Sequence, residues 1–323
     1  MSGTASATDG GRLNARDESG RMPEQPLVSI GVPTYNRASS LRRAVESVLA
    51  QDYRNIELVI SDNASTDETQ ALCLEASRRD SRIKYLRQQS NQGPIVNFHE
   101  VLRQASGEFF MWLADDDWLD SSYISECARK LIENPDYALV GGTGKYYQDG
   151  QFLFGGDAIT LLQERAEDRV HAYYQQVGIN GTLFGLMRRE QLQGIPLYEV
   201  FGADWLLVAQ VAFLSKVKTL ESVAIHRSVA GGSQDIHKLA AKVGLSKFMV
   251  RNPHLKIAFT VFGDIAWGSP AYRVLSLPRR LLLASKCFVA VCRRYCVPLW
   301  HQRLYGWAKR VEAGVKHALR VAQ

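Results

Sequence analysis

The sequence predicts an α/β protein, a mostly parallel sheet flanked by helices, with a helical, basic C-terminal extension. Three observations carry this. From residue 26 to about 140, short apolar runs of strand length alternate with amphipathic helical stretches. The 323 residues are 46% hydrophobic and 22% charged, room for one large domain plus an appendage or for two modest domains, and too ordinary for a disordered or fibrous chain. Charge is split along the chain. Residues 241–323 hold 15 Lys+Arg against 2 Asp+Glu, and the preceding part holds 24 against 31, although the whole nets only +6. A basic end suits an anionic surface, either nucleic acid or acidic lipid.

Residues 1–25 are rich in Gly, Ser, Asp and Arg without apolar periodicity and read as a disordered leader. They lack an apolar h-region, so no signal peptide is expected. LVSIGV (27–32) has the pattern of a strand buried on both faces. Ser39 or Ser40 is expected to cap the next helix, whose Leu41, Ala44, Val45, Val48 and Leu49 share one face. IELVIS (56–61) is a second buried strand, and Ser65 with Glu68 forms a capping-box pattern for a helix to about Arg79. IKYLR (83–87) is a third strand. Gly93-Pro94 opens a helix that ends near Ser106-Gly107. EFFMWL (108–113) is a fourth strand, and Ser121 or Ser122 opens a helix that stops before Asn134-Pro135. Strands separated by such helices form a parallel sheet, and its ligands bind beyond the carboxyl ends of the strands. Residues 26–140 therefore form one half of an α/β domain and the less regular 141–235 the other. In that second half ALVGGTGKYY and QFLFGG read as strands, TLFGLMRRE as a strand running into a short helix, and GADWLLVAQVAFL (202–214) as a strong helix. Residues 236–323 form the helical basic region.

Several chemistries fail on motif. No G-x-G-x-x-G follows the first strand, no P-loop surrounds Gly144-Lys145, no G-x-S-x-G elbow exists, and the seven His show no H-x-x-x-H pair. Five scattered cysteines without a CxxC give neither a disulfide framework nor a structural zinc site, and a reducing compartment is the default.

Three polar segments stand just after strands. Asp115-Asp116-Asp117 places adjacent carboxylates between Trp112 and Trp118, where they repel unless something positive sits among them. Mg²⁺ and Mn²⁺ take oxygen ligands of this kind together with substrate phosphates. An Asp-rich solvated turn is the plain alternative. In SDNASTDET, Asp62 with Asn63 stands where a carboxylate can accept from a nucleobase or ribose. In Pro33-Thr34-Tyr35-Asn36-Arg37, Tyr35 can lie against a base, and Asn36 and Arg37 can bond ribose or phosphate.

Together, VSIGVPTYNR, ELVISDNASTD and GEFFMWLADDDWL resemble the family 2 glycosyltransferases of the GT-A fold, Rossmann-like enzymes that use nucleotide-diphosphate sugars with inversion. The resemblance covers about residues 27–235, and the DNAStD and LxDDD wording is similar to the branch of abequosyltransferase-like enzymes of bacterial surface-polysaccharide assembly. It implies that Pro33, Thr34, Tyr35, Asn36, Arg37, Asp62 and Asn63 hold the nucleotide sugar, and that the aspartate motif holds Mn²⁺ or Mg²⁺ and the sugar-nucleotide. The common family form is D-x-D-D, and Ala114 occupies its first position here. The metal pair is therefore Asp115 with Asp117 or Asp116 with Asp117. Asp204, at the start of a later helix, matches the family's base; a plain helix cap is the alternative. His226 and Arg227 fall where the family touches diphosphate or metal, and Asn180, Gly181 and Arg188 flank the strand facing the acceptor. Trp205 either stacks on a sugar or packs in the core. The implied activity is transfer of a hexosyl or deoxyhexosyl group to a saccharide or lipid-linked acceptor at the cytoplasmic face of the inner membrane. A catalytically inactive sugar-nucleotide-binding or scaffold protein of the same fold is the competing reading. No nucleic-acid motif is present.

In the basic end, the apolar run Leu281–Val291 is interrupted by Lys286 and closed by Arg293-Arg294, too short and charged to span a bilayer. With Trp300, Tyr305 and Trp307 it suits a helix lying in the membrane interface, or else a helix packed on the catalytic domain with a solvated basic face.

Overall fold

A computed structural model of the protein describes residues 25–229 and 236–297. The first half runs β1 (Val28–Thr34), α1 (Ala38–Leu49), β2 (Ile56–Asp62), α2 (Thr69–Arg79), β3 (Ile83–Arg87), α3 (Pro94–Gln104) and β4 (Phe109–Trp112). The second runs β5 (Trp118–Leu119), α4 (Tyr123–Glu133), β6 (Tyr137–Gln148), β7 (Gln151–Gly155), α5 (Ala166–Gln176), β8 (Leu186–Arg188), α6 (Arg189–Gln193), α7 (Ala203–Leu214) and β9 (Lys216–Ser228). Then come α8 (Ile236–Lys242), α9 (Lys247–Arg251), α10 (Pro253–Gly263) and α11 (Leu277–Val291).

One sheet orders these strands β3-β2-β1-β4-β8-β6-β9-β5, with β7 on β6. The expected parallel block is β3-β2-β1-β4. The strand after α4 does not continue it directly. β8 intervenes, antiparallel to both β4 and β6, and β6 then pairs parallel with β9. A short tight-turn helix at Gly181–Phe184 turns the chain back into that slot. β1 is buried at every residue, as a strand covered on both faces must be.

The helix starts differ from expectation. α1 is not capped by Ser39 or Ser40: Ala38 N donates to Asp67 Oδ2 and Arg37 N to Thr69 Oγ1. The Ser65/Glu68 box does not form either. α2 begins at Thr69, whose N–H donates to Asp67 Oδ1, and the Ser65 hydroxyl accepts from Asn36 N. Asp67 thus satisfies orphan donors at two helix starts at once. Ser122 does hold the N-cap position of α4, but its side chain makes no cap bond; buried Gln51 takes that part, accepting from Ile124 N.

α7 is apolar on every face, and Trp205 to Phe213 are all buried, as a helix without a polar face must be. It is enclosed by β6, β9 and α5. α10 and α11 complete the enclosure: Ile257, Ala258 and Val261 of α10 and Leu283, Ala284, Cys287 and Val291 of α11 are buried, and α11 packs on α5. All five cysteines are free thiols.

Candidate active site

The parallel register brings the three polar turns level. Thr34 stands opposite Asp62, and Gly31 opposite Trp112. They are then bonded to one another. Thr34 Oγ1 donates to Asp115 Oδ2 at 2.7 Å, and Asn63 N donates to Thr34 O at 3.0 Å. Asn36 adopts φ 53°, a left-handed conformation that Asn tolerates better than most residues. Its backbone N–H donates to Ser65, and its Oδ1 accepts from Thr66 N. Arg37 lies 3.7 Å from Asp116. Pro33 is buried within β1, whereas Tyr35 stands 42% exposed at the mouth, open to a flat ligand.

Asp62 and Asn63 form the floor of this region. Asp62 is fully buried; Oδ1 accepts from Ser65 N, and Oδ2 from the Tyr85 hydroxyl, with Arg87 Nε 3.3 Å away. Asn63 donates to Asn91 and Gly93 O and accepts from Gln92 N. Both side chains hold loops together in this arrangement.

The aspartates divide. Burial pushes Asp115 up to about 6, with Asp116 adding to this and Thr34 and Arg37 opposing it. Asp117 is shut away from solvent, with Oδ2 2.9 Å from Arg227 Nε; burial pushes it up to about 6 despite that guanidinium. Asp115 and Asp116 are therefore the more open carboxylates. Arg43 donates to Asp116 O and lies over the Trp118 ring at 3.6 Å. His226, an expected metal ligand, has Nε2 2.7 Å from Asp120 Oδ1 and Nδ1 3.0 Å from the Tyr147 hydroxyl, and stacks on Trp118. Both ring nitrogens are committed to these partners, which leaves no lone pair of His226 turned to a cation in this arrangement. Arg227 reaches further: its Nη1 donates to the Tyr146 hydroxyl, and the side chain lines a cleft of about 690 Å³ together with Asp204.

Asp204 sits in the first turn of α7, which starts after Gly202 at φ 87°, a conformation open to glycine. Asn180 Nδ2 donates to both its backbone oxygen and its Oδ2, at 2.9 and 3.2 Å. Burial raises the Asp204 pKa, and the bonds from Asn180 and the helix backbone oppose the rise. A carboxylate tuned upward in a cleft is what a general base requires. Gly181 opens the tight-turn helix directly after Asn180, whose own side chain lines the cleft. Arg188 lies apart from the cleft lining: its guanidinium bonds Tyr137 O and Leu131 O. Trp205 is 5% exposed and packs chiefly in the core, its edge reaching the cleft.

A divalent cation fits this donor set. Among the described residues no group of three or more His, Cys, Asp or Glu is placed to hold a metal by itself. Asp115 and Asp117, raised by burial and by the neighbouring Asp116 charge, are nevertheless hard-oxygen donors short of positive charge, and Mg²⁺ or Mn²⁺ sites of this sort are completed by substrate phosphates. Sequence reading missed Arg43, Asp120 and Tyr146, since nothing local marks a side chain whose partner lies 70 to 110 residues away.

Residues 29–195 match the family model for glycosyl transferase family 2. The Campylobacter jejuni GalNAc(5)-diNAcBac-PP-undecaprenol beta-1,3-glucosyltransferase is 32% identical over 179 residues, 54% of this chain and 56% of that protein. Glycosyltransferase GlyA of Streptococcus pneumoniae is 29% identical over 182 residues, 54% of this chain and 24% of that protein. The matches thus span about half or less of these relatives' length. Among solved structures, S. aureus TarS 1-349 superposes with TM-score 0.56 at 17% identity, covering 82% of this chain and 72% of that one. Mannosyltransferase PcManGT from Pyrobaculum calidifontis, in complex with GDP-Man and Mn2+, superposes with TM-score 0.51 at 18% identity, covering 90% and 81%. The fold is that of the GT-A glycosyltransferases. By the match over half its length, the chain belongs to glycosyl transferase family 2.

Proposed function

We propose that the protein is an inverting, divalent-metal-dependent glycosyltransferase. It moves a hexosyl or deoxyhexosyl group from a nucleotide-diphosphate sugar to a saccharide or lipid-linked saccharide acceptor, in cell-surface polysaccharide biosynthesis. The observation that carries this is Arg227. One side chain both pairs with Asp117 of the aspartate turn and lines the cleft of Asp204, so a charge-gripping edge and a candidate base share one site.

Tyr35 would lie against the base of the donor, with Asn36 and Arg37 toward ribose and phosphate and Asp62 and Asn63 fixing the loops behind them. Asp115, with Asp116 or Asp117, would hold Mn²⁺ or Mg²⁺, which supplies neutralisation of the diphosphate charge when bound. Asp204 accepts the proton of the acceptor hydroxyl as that oxygen bonds the anomeric carbon. The bond from that carbon to the diphosphate breaks in the same displacement, and its electron pair leaves with the nucleoside diphosphate. One base suffices, unlike the two flanking carboxylates of a glycoside hydrolase. Arg227, 110 residues from Asp117 in sequence, would hold that carboxylate in place while presenting its remaining donors to the cleft.

A membrane-surface position supports a lipid-linked acceptor, and the acceptor named for the Campylobacter relative is undecaprenol-linked. No helix among the described residues is long and apolar enough to cross a membrane. Trp267, Val274 and Leu282 are 62%, 82% and 59% exposed among Arg273, Arg279, Arg280 and Lys286, a mixture suited to a cytoplasmic anionic leaflet. Trp300, Tyr305 and Trp307, and the leader over residues 1–24, lie outside the described residues.

Turnover of nucleotide sugars with Mn²⁺ or Mg²⁺, before and after EDTA, tests the reading. Metal-dependent transfer that Asp204→Asn abolishes while donor binding survives is expected. Full turnover after EDTA would reject the metal, and binding without turnover under any condition would favour the inactive-module reading. Binding of Trp267→Ser and Leu282→Ser variants to anionic vesicles, unchanged from wild type, would reject the membrane contact.

A further inference from the structure

We propose that the cleft in front of Asp204 seats a neutral saccharide ring in a subsite built by Asp157 together with the stacked rings of His254 and Tyr295. This rests on the glycosyl-transfer reading and goes past it, naming the groups that recognise the acceptor.

Asp157 lines the same cleft as Asp204. Among the described residues its carboxylate has no hydrogen-bond or ion-pair partner, and its Oδ2 is closed off from solvent. An unpartnered buried carboxylate oxygen is costly, and such groups call for a missing donor. A Cβ at position 178 would lie 2.5 Å from that oxygen, so Gly178 leaves the carboxylate its space. In the same cleft, the His254 and Tyr295 rings stack at 4.1 Å and 4°, with Trp205 5.7 Å from Tyr295. His254 Nδ1 is a second buried polar atom without a partner. Burial lowers His254 to about 4, so its imidazole is neutral and has one N–H to donate and one nitrogen to accept.

A sugar ring presents C–H faces that pack on aromatic rings and hydroxyls that donate to a carboxylate and exchange bonds with an imidazole. The cleft offers both sets. Its charge favours a neutral guest: Asp157 and Asp204 repel phosphate, and Arg227 is already paired with Asp117. His254 and Tyr295 come from beyond the family-matched residues 29–195. Acceptor selectivity would therefore be set partly by helices outside the donor-binding core.

The test measures binding of a panel of methyl glycosides and short neutral oligosaccharides to the full chain by ligand-observed NMR, for wild type, Asp157→Asn and His254→Phe. UDP and GDP binding is measured on the same samples. At least one saccharide is expected to bind wild type, with affinity roughly tenfold weaker in Asp157→Asn, the worth of a hydrogen bond to a charged acceptor, and nucleotide binding unchanged. His254→Phe keeps the stack on Tyr295 while removing the nitrogen, and carries the test alone if Asp157→Asn does not fold. A wild type that binds no saccharide, or variants that bind as tightly as wild type, would overturn the subsite. Saccharide binding without nucleotide binding would instead count against the glycosyl-transfer reading and leave the subsite standing.

Discussion

Replacing Asp264 with Asn should stabilise the protein most above neutral pH and change little below about pH 4. Asp264 is buried just beyond α10, and among the described residues its carboxylate accepts only from the Gln210 amide, at 3.3 to 3.4 Å. Burial pushes its pKa up to about 7 from an ordinary 3.8, and only Gln210 pulls it down. Each unit is worth about 1.4 kcal/mol. Ionising this carboxyl inside the fold thus costs roughly 4 kcal/mol in total. The sign follows from proton counts. Between pH 4 and 7 the folded state binds the proton and the unfolded state does not, so this group's contribution to stability falls as pH rises through that window. In the neutral form the carboxyl has an O–H to donate, and Gln210 Oε1 is buried without a partner; rotation of the amide would bring that oxygen into place. Asn supplies a neutral, isosteric group at every pH. In urea unfolding at pH 5, 6, 7 and 8, the difference between Asp264→Asn and wild type should climb to roughly 2 to 4 kcal/mol at pH 8. Parallel curves for the two proteins, or a variant less stable at pH 8, would refute the reasoning.

Asp67→Ala removes the acceptor at two helix starts and should cost about 1 to 2 kcal/mol in urea unfolding, with donor binding weakened through the loop of Asn36. Arg227→Lys keeps the charge but cannot reach Asp117 and the Tyr146 hydroxyl together; a loss of about 1 to 3 kcal/mol is expected from thermal melts. The raised pKa of Asp204, as the proposed base, should place the acidic limb of the kcat/KM profile above the ordinary carboxylate range. Asn180→Ala removes a bond that favours the ionised form, so the limb should move to higher pH; an unmoved limb would detach Asp204 from the chemistry. Asp204→Asn should slow transfer by roughly 10² to 10⁴.

The parallel block was legible because its signals are local. The apolar face Leu41, Ala44, Val45 and Val48 of α1, Pro94 at the first turn of α3 and the aspartates after β4 each announce themselves within a dozen residues. What could not be read are bonds exchanged over distance. Asp67 serves Ala38 rather than only its own helix, and Gln51 serves Ile124, so the nearby serines make no cap bond, although Ser122 does stand at the start of α4. β8 is only three residues long, and its antiparallel slot between β4 and β6 leaves no periodic trace. Arg227 gave a hint by position alone; that it bridges Asp117 and the cleft is a fact of topology, set by the pairing of β9 with β6 and β5.

The almost wholly apolar, buried character of α7 reaches beyond packing. The residue proposed to take the acceptor's proton is borne by a helix with no face that tolerates water, and α5 with the helices after residue 236 keep it dry. The C-terminal segment is then no optional tail. Exchanging it between relatives would mean exchanging α7 with it, and acceptor preference and the footing of the base would have to be inherited as one block.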